Sequence, residues 1–259
     1  LSALEPAAGG KLPRQSAAAR ARIERLVPLT GAAFGVRSLF EMDPDGSYGY
    51  YNRVASEAAA ASAPLAQDRM LRTFGARWVL AHEGEPHPLY RPATGLSVAH
   101  ERLVLFEDPS PLPELRWAGR AHRRTSLSGT LDLLRSDAFD PSTDVVLPGR
   151  EDRAAEGAPA KARVTAEAVA PDRARARVEA EGAGHLVFSR TYFPAWQARL
   201  DGEAVPVLVA NARDLAVAVP AGAHTVEIAY DRTPFRRGVA IQAAAFLVVL
   251  AAAVATRRL

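Results

Sequence analysis

Hydrophobic and polar residues alternate most clearly in the C-terminal third of the chain. From Arg173 to Glu181 every second residue is Ala or Val, and the residues between them are Arg or Glu. Residues that alternate in this way lie on opposite faces of a strand, so the pattern favours a strand although Ala and Arg prefer helices. Similar short runs predict further strands at 163–169, 186–192, 196–200, 204–209, 215–219 and 225–230.

Turn signals separate these strands. They stand at Pro171-Asp172, Asp201-Gly202 and Ala221-Gly222. An Asp-Gly pair supplies the positive φ values of a tight hairpin turn, and Pro194 has no N–H to donate to a ladder and so ends a strand. At least six short strands joined by tight turns predict an antiparallel β-sandwich over residues 162–234.

The N-terminal half combines helical spacing with short apolar runs. Helices are predicted at Arg53–Ala63, where Pro64 is expected to end the helix, at Gln67–Phe74 and at Ser126–Leu134. Short strands are predicted at 77–80, 103–106 and 145–147. The whole chain is therefore predicted to be α+β, in this order: a linker and short helix at 1–30, an α+β subdomain at 31–148, a linker at 149–161 and the sandwich.

An apolar segment follows the sandwich. The 19 residues from Gly238 to Thr256 carry no charge, and a helix of that length spans about 28 Å, close to the hydrocarbon core of a bilayer. A transmembrane helix is predicted at 236–258, with a helix buried in a soluble protein as the alternative. Basic residues flank both ends, so their charge gives no orientation. The predicted membrane-interface residues are Arg236, Arg237, Arg257 and Arg258.

Composition narrows the range of functions. The 259 residues are 48% hydrophobic, enough for a core, and the formal net charge is only +3. Nearly all basic residues are scattered Arg, which argues against a nucleic-acid surface. Without Cys there is no disulfide framework and no thiolate metal site. The chain begins at Leu1 without a signal peptide pattern, so we expect it to be a piece of a longer protein.

Catalytic signatures are not found in the sequence. The six His lack the spacing of a zinc site, and no nucleophile elbow or phosphate-binding Gly loop occurs. Asp43, Asp45 and Gly46 suggest a calcium loop, but Val54 stands where the closing Glu is needed, so a turn is the favoured interpretation. We therefore predict no metal, no cofactor and no catalytic residue in this chain.

The most distinctive sequence belongs to the two hairpins. First comes an aromatic pair followed by Pro and, two residues later, Trp. An Asp-Gly pair comes next, and then Val-Pro-Ala-Gly-x-His, which a Tyr follows six residues later. This order, followed by an apolar helix, resembles the end of YfhO-like bacterial multi-pass membrane proteins, with Ala195 where that family usually has Gly. The residues that carry the resemblance are Tyr192, Pro194, Trp196, Asp201, Gly202, Gly222, His224 and Tyr230.

The resemblance implies a place in a membrane enzyme. Members of the family resemble GT-C-type glycosyltransferases that use polyprenyl-phosphate sugars to modify cell-envelope glycopolymers. This chain would be the extracytoplasmic domain with the last transmembrane helix, and the catalytic acid would lie in an early loop outside it. The implied location is the cell membrane, with the bulk of the chain on the extracytoplasmic side. The implied partners are the lipid bilayer, the other transmembrane helices, the lipid-linked sugar and the glycopolymer.

Other interpretations of the same residues remain open. The chain is alternatively a membrane-anchored carbohydrate- or protein-binding module without catalysis. Trp196 suits a sugar-stacking platform, although core packing is favoured, and His224 and Asp201 are favoured as turn residues over catalytic ones. The charges of Arg236 and Arg237 suit binding of the donor phosphate, although anchoring of both side chains at the membrane interface is the favoured interpretation.

Overall fold

A computed structural model describes residues 50–98, 101–154 and 158–256. The predicted linker and helix at 1–30, the turn at Asp43–Gly46, and Arg257 and Arg258 lie outside these residues. The helices are α1 Tyr50–Ala60, α2 Pro64–Thr73, α3 Leu127–Arg135 and α4 Thr233–Thr256. The strands are β1 Trp78–His82, β2 Arg91–Val98, β3 Glu101–Glu107, β4 Leu115–Ala118, β5 Arg120–Arg124, β6 Asp144–Pro148, β7 Ala162–Ala170, β8 Arg173–Ala180, β9 Gly184–Phe188, β10 Trp196–Leu200, β11 Glu203–Val205, β12 Leu208–Ala210, β13 Asp214–Val219 and β14 Gly222–Tyr230.

The mixed α and β architecture with several antiparallel sheets confirms the α+β part of the predicted fold class. A five-stranded sheet has the order β11-β10-β14-β8-β7, and a four-stranded sheet has the order β12-β13-β9-β4. Their facing side chains share one hydrophobic core, which includes Val178, Phe188, Val217 and Ile228. In β8 buried Ala and Val alternate with exposed Arg and Glu, as the period of two predicts.

The first hairpin turns at the predicted Asp-Gly pair. Asp201 has φ 52° and Gly202 has φ 89°, and Leu200 pairs with Glu203 across the turn. The strand predicted at 204–209 is wrong as a single element, because it divides at Pro206 into β11 and β12, which join different sheets. Pro206 cannot donate to a ladder, so the chain leaves one sheet there.

One strand of the sandwich comes from the N-terminal half of the chain. β4 pairs with β9, with Leu115 opposite Phe188, so the four-stranded sheet contains residues from both sides of the predicted linker. The sequence predicts the sandwich over 162–234, and β4 adds one strand from outside that range. The four residues of β4 include the charged Arg116, which breaks the apolar pattern that sequence analysis relies on.

The α1 to α3 helices cover a parallel pair of strands. β5, α3 and β6 form a strand–helix–strand unit in which β5 and β6 are parallel. The helix predicted at Ser126–Leu134 is found as α3, and Ser126 caps it by accepting a hydrogen bond from the Gly129 N–H at 3.0 Å. Pro64 lies in the first turn of α2, where its missing N–H costs nothing. A separate antiparallel sheet has the order β1-β3-β2.

The terminal helix α4 is 24 residues long and starts three residues after β14 ends. Every residue from Phe235 to Phe246 is exposed. Within the described part of the chain, no helix is both long enough and apolar enough to cross a membrane. The structure therefore does not support the transmembrane helix predicted at 236–258.

The Asp201–Gly202 turn predicts a defined stability effect. We expect Gly202→Val to lower the free energy of unfolding by about 1 kcal/mol or more, because Val is forced to a positive φ. Open space surrounds the position, so the cost comes from the backbone and not from a clash. Ala204→Val is the control, since the exposed Ala204 is extended in the same hairpin. Urea unfolding of both variants tests this, and equal stability would contradict the turn.

Candidate functional site

The distinctive hairpin residues lie on two neighbouring strands but separate into two groups. β10 and β14 are antiparallel, and Trp196 pairs with Tyr230 at one end of the ladder. Asp201 follows the other end of β10, where it meets His224 near the start of β14. Five residues of strand separate Trp196 from Asp201, which is about 17 Å. The resemblance motif therefore marks two places and not one cleft.

Trp196 belongs to the core of the sandwich. Only 8% of its surface is exposed. Its ring meets Phe188 and Tyr230 edge-on, with centroid distances of 5.9 and 5.3 Å, and its Nε1–H donates to the Thr191 carbonyl at 3.1 Å. The core interpretation is confirmed, because a ring buried in this way has no free face for stacking on a sugar.

Backbone hydrogen bonds fix the start of α4 to this aromatic end. The Asp231 N–H donates to the Ala195 carbonyl at 2.9 Å, and the Tyr230 N–H donates to the Asp172 carbonyl at 2.8 Å. Hydrogen bonds from Thr233 hold the pKa of the Asp231 carboxyl below its ordinary value. We call the group Phe193, Ala195, Tyr230, Asp231 and Phe235 the helix root.

Aromatic side chains of the helix root are exposed. Phe193 is 38% exposed, Tyr230 is 36% exposed and Phe235 is 74% exposed. Arg236 and Arg237 follow directly and are also exposed. An apolar patch with basic residues beside it is typical of a binding surface, so the helix root is the candidate functional site. Pro194 lies exposed in the same loop.

At the opposite end, His224 and Asp201 form a close pair. The His224 Nδ1 and the Asp201 Oδ2 are 2.7 Å apart, and the Nε2 lies 3.3 Å from the Ala221 carbonyl oxygen. The Asp201 Oδ1 accepts the Thr225 N–H at 2.7 Å. Gly222, with φ 122°, lies against the imidazole ring and gives it room.

This pair is better suited to holding the first hairpin against the start of β14 than to catalysis. The second hairpin expected from the sequence is wrong, because β13 and β14 join different sheets. The hydrogen bond to Asp201 raises the pKa of His224, and the hydrogen bonds from His224 and Thr225 lower the pKa of Asp201. Both ring nitrogens face oxygen acceptors, which fits the doubly protonated imidazolium. An imidazolium has no lone pair with which to act as a general base.

Sequence analysis missed four buried carboxylates, each of which is paired. Their partners are distant in the sequence, so no local pattern indicated them. The pairs are Asp68 with His87, Asp108 with Arg72, Asp144 with Arg120 and His122, and Asp214 with Arg116 and Arg213. Buried charges require such partners, so we assign these groups to the fold.

Arg116 and Asp214 form the most deeply buried of these pairs. The Arg116 Nη2 lies 3.6 Å from the Asp214 Oδ2, and both side chains are almost fully buried. Arg116 also donates to the Ser189 hydroxyl at 2.8 Å and to the Pro141 carbonyl at 3.0 Å. Burial raises the pKa of the Asp214 carboxyl, and the charges of Arg116 and Arg213 oppose that shift. The pair joins β4 and β13 on the sheet face that lies outside the sandwich core.

Asp144 is held in its charged form. Burial alone would raise the pKa of its carboxyl, but hydrogen bonds from Arg120, His122 and Thr143 lower that pKa below its ordinary value. Arg120 is bidentate, with distances of 2.8 and 3.0 Å to the two carboxylate oxygens. This geometry is among the strongest for an ion pair and it connects the parallel strands β5 and β6.

Comparisons with known proteins add no assignment. No family model, curated protein or solved structure matches the chain. Among residues 50–98, 101–154 and 158–256, no three His, Cys, Asp or Glu side chains are grouped to hold a metal ion. The helix root and its exposed helix therefore remain the best-supported candidate site.

The His224–Asp201 pair predicts a pH dependence of stability. A raised His pKa contributes stability below the unfolded value of about 6.5, and this is lost as pH rises through the folded pKa. A lowered Asp pKa contributes above about 3.9 and is lost as pH falls through the folded pKa. The contribution of the pair is therefore largest between about pH 4 and 6.5.

We test this with Asp201→Asn, because Asn tolerates the positive φ and removes the charge. The difference in free energy of unfolding between the unchanged protein and this variant should peak in that window and decrease at higher pH. Asp137→Asn, at an exposed loop position, is the control and should give a flat difference. A flat profile for Asp201→Asn would contradict the pair.

Proposed function

We propose that the chain is the extracytoplasmic domain and membrane anchor of a YfhO-like integral membrane protein. In this proposal the parent transfers sugars from a polyprenyl-phosphate carrier to cell-envelope glycopolymers, and the catalytic residues lie outside this chain. The observation that carries the proposal is α4, an exposed helix of apolar sequence that starts directly at the end of the sandwich.

Exposed apolar side chains support a membrane role for α4. Phe235 is 74% exposed, Ile241 is 71% exposed and Phe246 is 66% exposed. Each square ångström of apolar surface left in water costs about 25 cal/mol, so a helix of this kind needs a cover. The 19 residues from Gly238 to Thr256 carry no charge, so a lipid bilayer is the cover of matching chemistry.

The contacts of Trp196 and His224 favour a structural role for the sandwich over a catalytic one. Sugar transfer requires a base at the acceptor hydroxyl and groups that hold the donor phosphate. Trp196 is used in the core and His224 is bound at both nitrogens. We propose that the sandwich shapes the acceptor side of the cleft while the missing membrane helices supply the chemistry.

The membrane role predicts how the chain partitions. We expect the full chain to sediment with membranes after an alkaline carbonate wash, and Ile241→Arg/Phe246→Arg to move it into the supernatant. An Arg at the centre of a membrane helix costs about 2.5–3.5 kcal/mol. Val169→Arg is the matched control, because Val169 is 41% exposed on β7 of the sandwich, and it should sediment unchanged. Release of the unchanged chain by the wash would contradict the anchor.

The division of labour predicts an activity pattern. We expect the 259-residue chain alone to transfer no sugar from a radiolabelled polyprenyl-phosphate donor, while the parent transfers sugar and loses this activity without residues 162–230. A parent carrying Ala204→Val is the control for handling and should stay active. Turnover by the chain alone would contradict the proposal. A parent without activity would favour the alternative, a membrane-anchored binding module.

A further inference from the structure

We propose that the helix root is a membrane-contact surface, in which Phe193 and Tyr230 enter the interfacial layer of a phospholipid bilayer. The sandwich is then held on the membrane in one orientation and is not free to swing on the end of α4. This inference rests on the proposed function, because it takes α4 as the anchor. It adds which end of the sandwich meets the lipid.

The side chains at the helix root have the chemistry of the membrane interface. Tyr is enriched at headgroup depth because its ring is apolar and its hydroxyl is polar. Tyr230 ends β14 and Phe193 lies in the loop before β10, and both are more than one third exposed. Trp196 of the same motif is buried and Tyr192 is partly buried, so the exposed rings are a distinct set.

The helix root is also tied to the anchor by short connections. The Ala195 carbonyl accepts the Asp231 N–H at 2.9 Å, and the Phe193 carbonyl accepts the Trp196 N–H at 3.1 Å. Phe193 is two residues from Ala195, so the two Cα atoms are at most about 7.6 Å apart. A helix that enters a bilayer two residues after Asp231 therefore brings Phe193 to the membrane surface.

The charges near the helix root complement phospholipid headgroups. Arg236 and Arg237 are exposed in the first turns of α4. Arg232 lies beside them and is anchored to Asp172 at 2.8 Å. Long basic side chains extend toward headgroup phosphates while their stems stay on apolar surface. Apolar rings flanked by Arg are therefore the composition that an interfacial layer binds.

Among the described residues, no large hydrophobic side chain is exposed at the opposite end of the sandwich. Asp201, Gly202, Glu203 and Ala204 are exposed there, and they lie about 10 to 17 Å along the strand direction from Trp196. The two ends of one ladder thus provide a contact end and a distal end for comparison. The experiment therefore compares contact with lipid at these two ends.

The cysteine-free sequence permits clean single-site labelling. Phe193→Cys, Glu203→Cys and Ala223→Cys are labelled with a bimane fluorophore in the full chain and reconstituted into phosphatidylcholine–phosphatidylglycerol vesicles. Lipids with doxyl groups near the headgroup serve as quencher. Ala223 is an exposed apolar position near the start of β14, at the end away from the helix root, so its label controls for an apolar side chain without lipid contact.

We expect the label at position 193 to be quenched at least about threefold more than the labels at 203 and 223, because the interfacial layer is only about 5–8 Å deep. Flotation of the same vesicles reports whether the chain is anchored at all. Flotation with equal quenching at the three positions would overturn this inference and leave the anchor intact. Failure to float would overturn the proposed anchor and the inference with it.

Discussion

The structure depends on how the end of β14 is held. This strand is paired on both sides, with β10 and with β8, and its last residues donate to Ala195 and Asp172 on the two neighbouring sides. Because β14 is fixed on both sides, its direction sets where the following helix begins. α4 therefore starts from a rigid point, and the helix root takes its position from the sandwich core.

Buried polar contacts hold the N-terminal half on the sandwich. Arg116 of β4 meets Asp214 of β13, and Arg213 donates to Asn52 of α1 at 2.8 Å. Removing one partner of a buried ion pair costs about 3–5 kcal/mol, so these contacts specify one arrangement of the two halves. These contacts explain why β4 belongs to the sandwich although it precedes α3 in sequence.

Local sequence patterns predicted the elements whose structure depends on neighbouring residues. The alternation in β8, the Asp201–Gly202 turn and the helix at Ser126–Leu134 each depend on neighbouring residues, and each is found. The predictions that failed concern elements whose structure depends on residues distant in the sequence. β4 carries the buried Arg116, and nothing in its four residues shows that Asp214 will neutralise it.

The candidate site was predictable only in part. The sequence marked Asp201 and His224 as separate turn residues, and their 2.7 Å contact required the register of β10 against β14. The exposure of Phe193 and Tyr230 likewise depends on tertiary packing, since the nearby Trp196 is buried. The membrane role of α4 was predicted from charge and length, and it stays a proposal.

The proposed anchor requires a bilayer to cover α4, and amide hydrogen exchange in lipid tests whether it does. The chain in lipid nanodiscs would be exchanged and mapped by mass spectrometry, with the exposed Asp201–Gly202 turn as the fast internal reference. We expect the amides from Gly238 to Phe246 to stay unexchanged long after the turn has exchanged fully, because water is absent from the hydrocarbon core. Exchange of those amides as fast as the turn would contradict the proposed anchor.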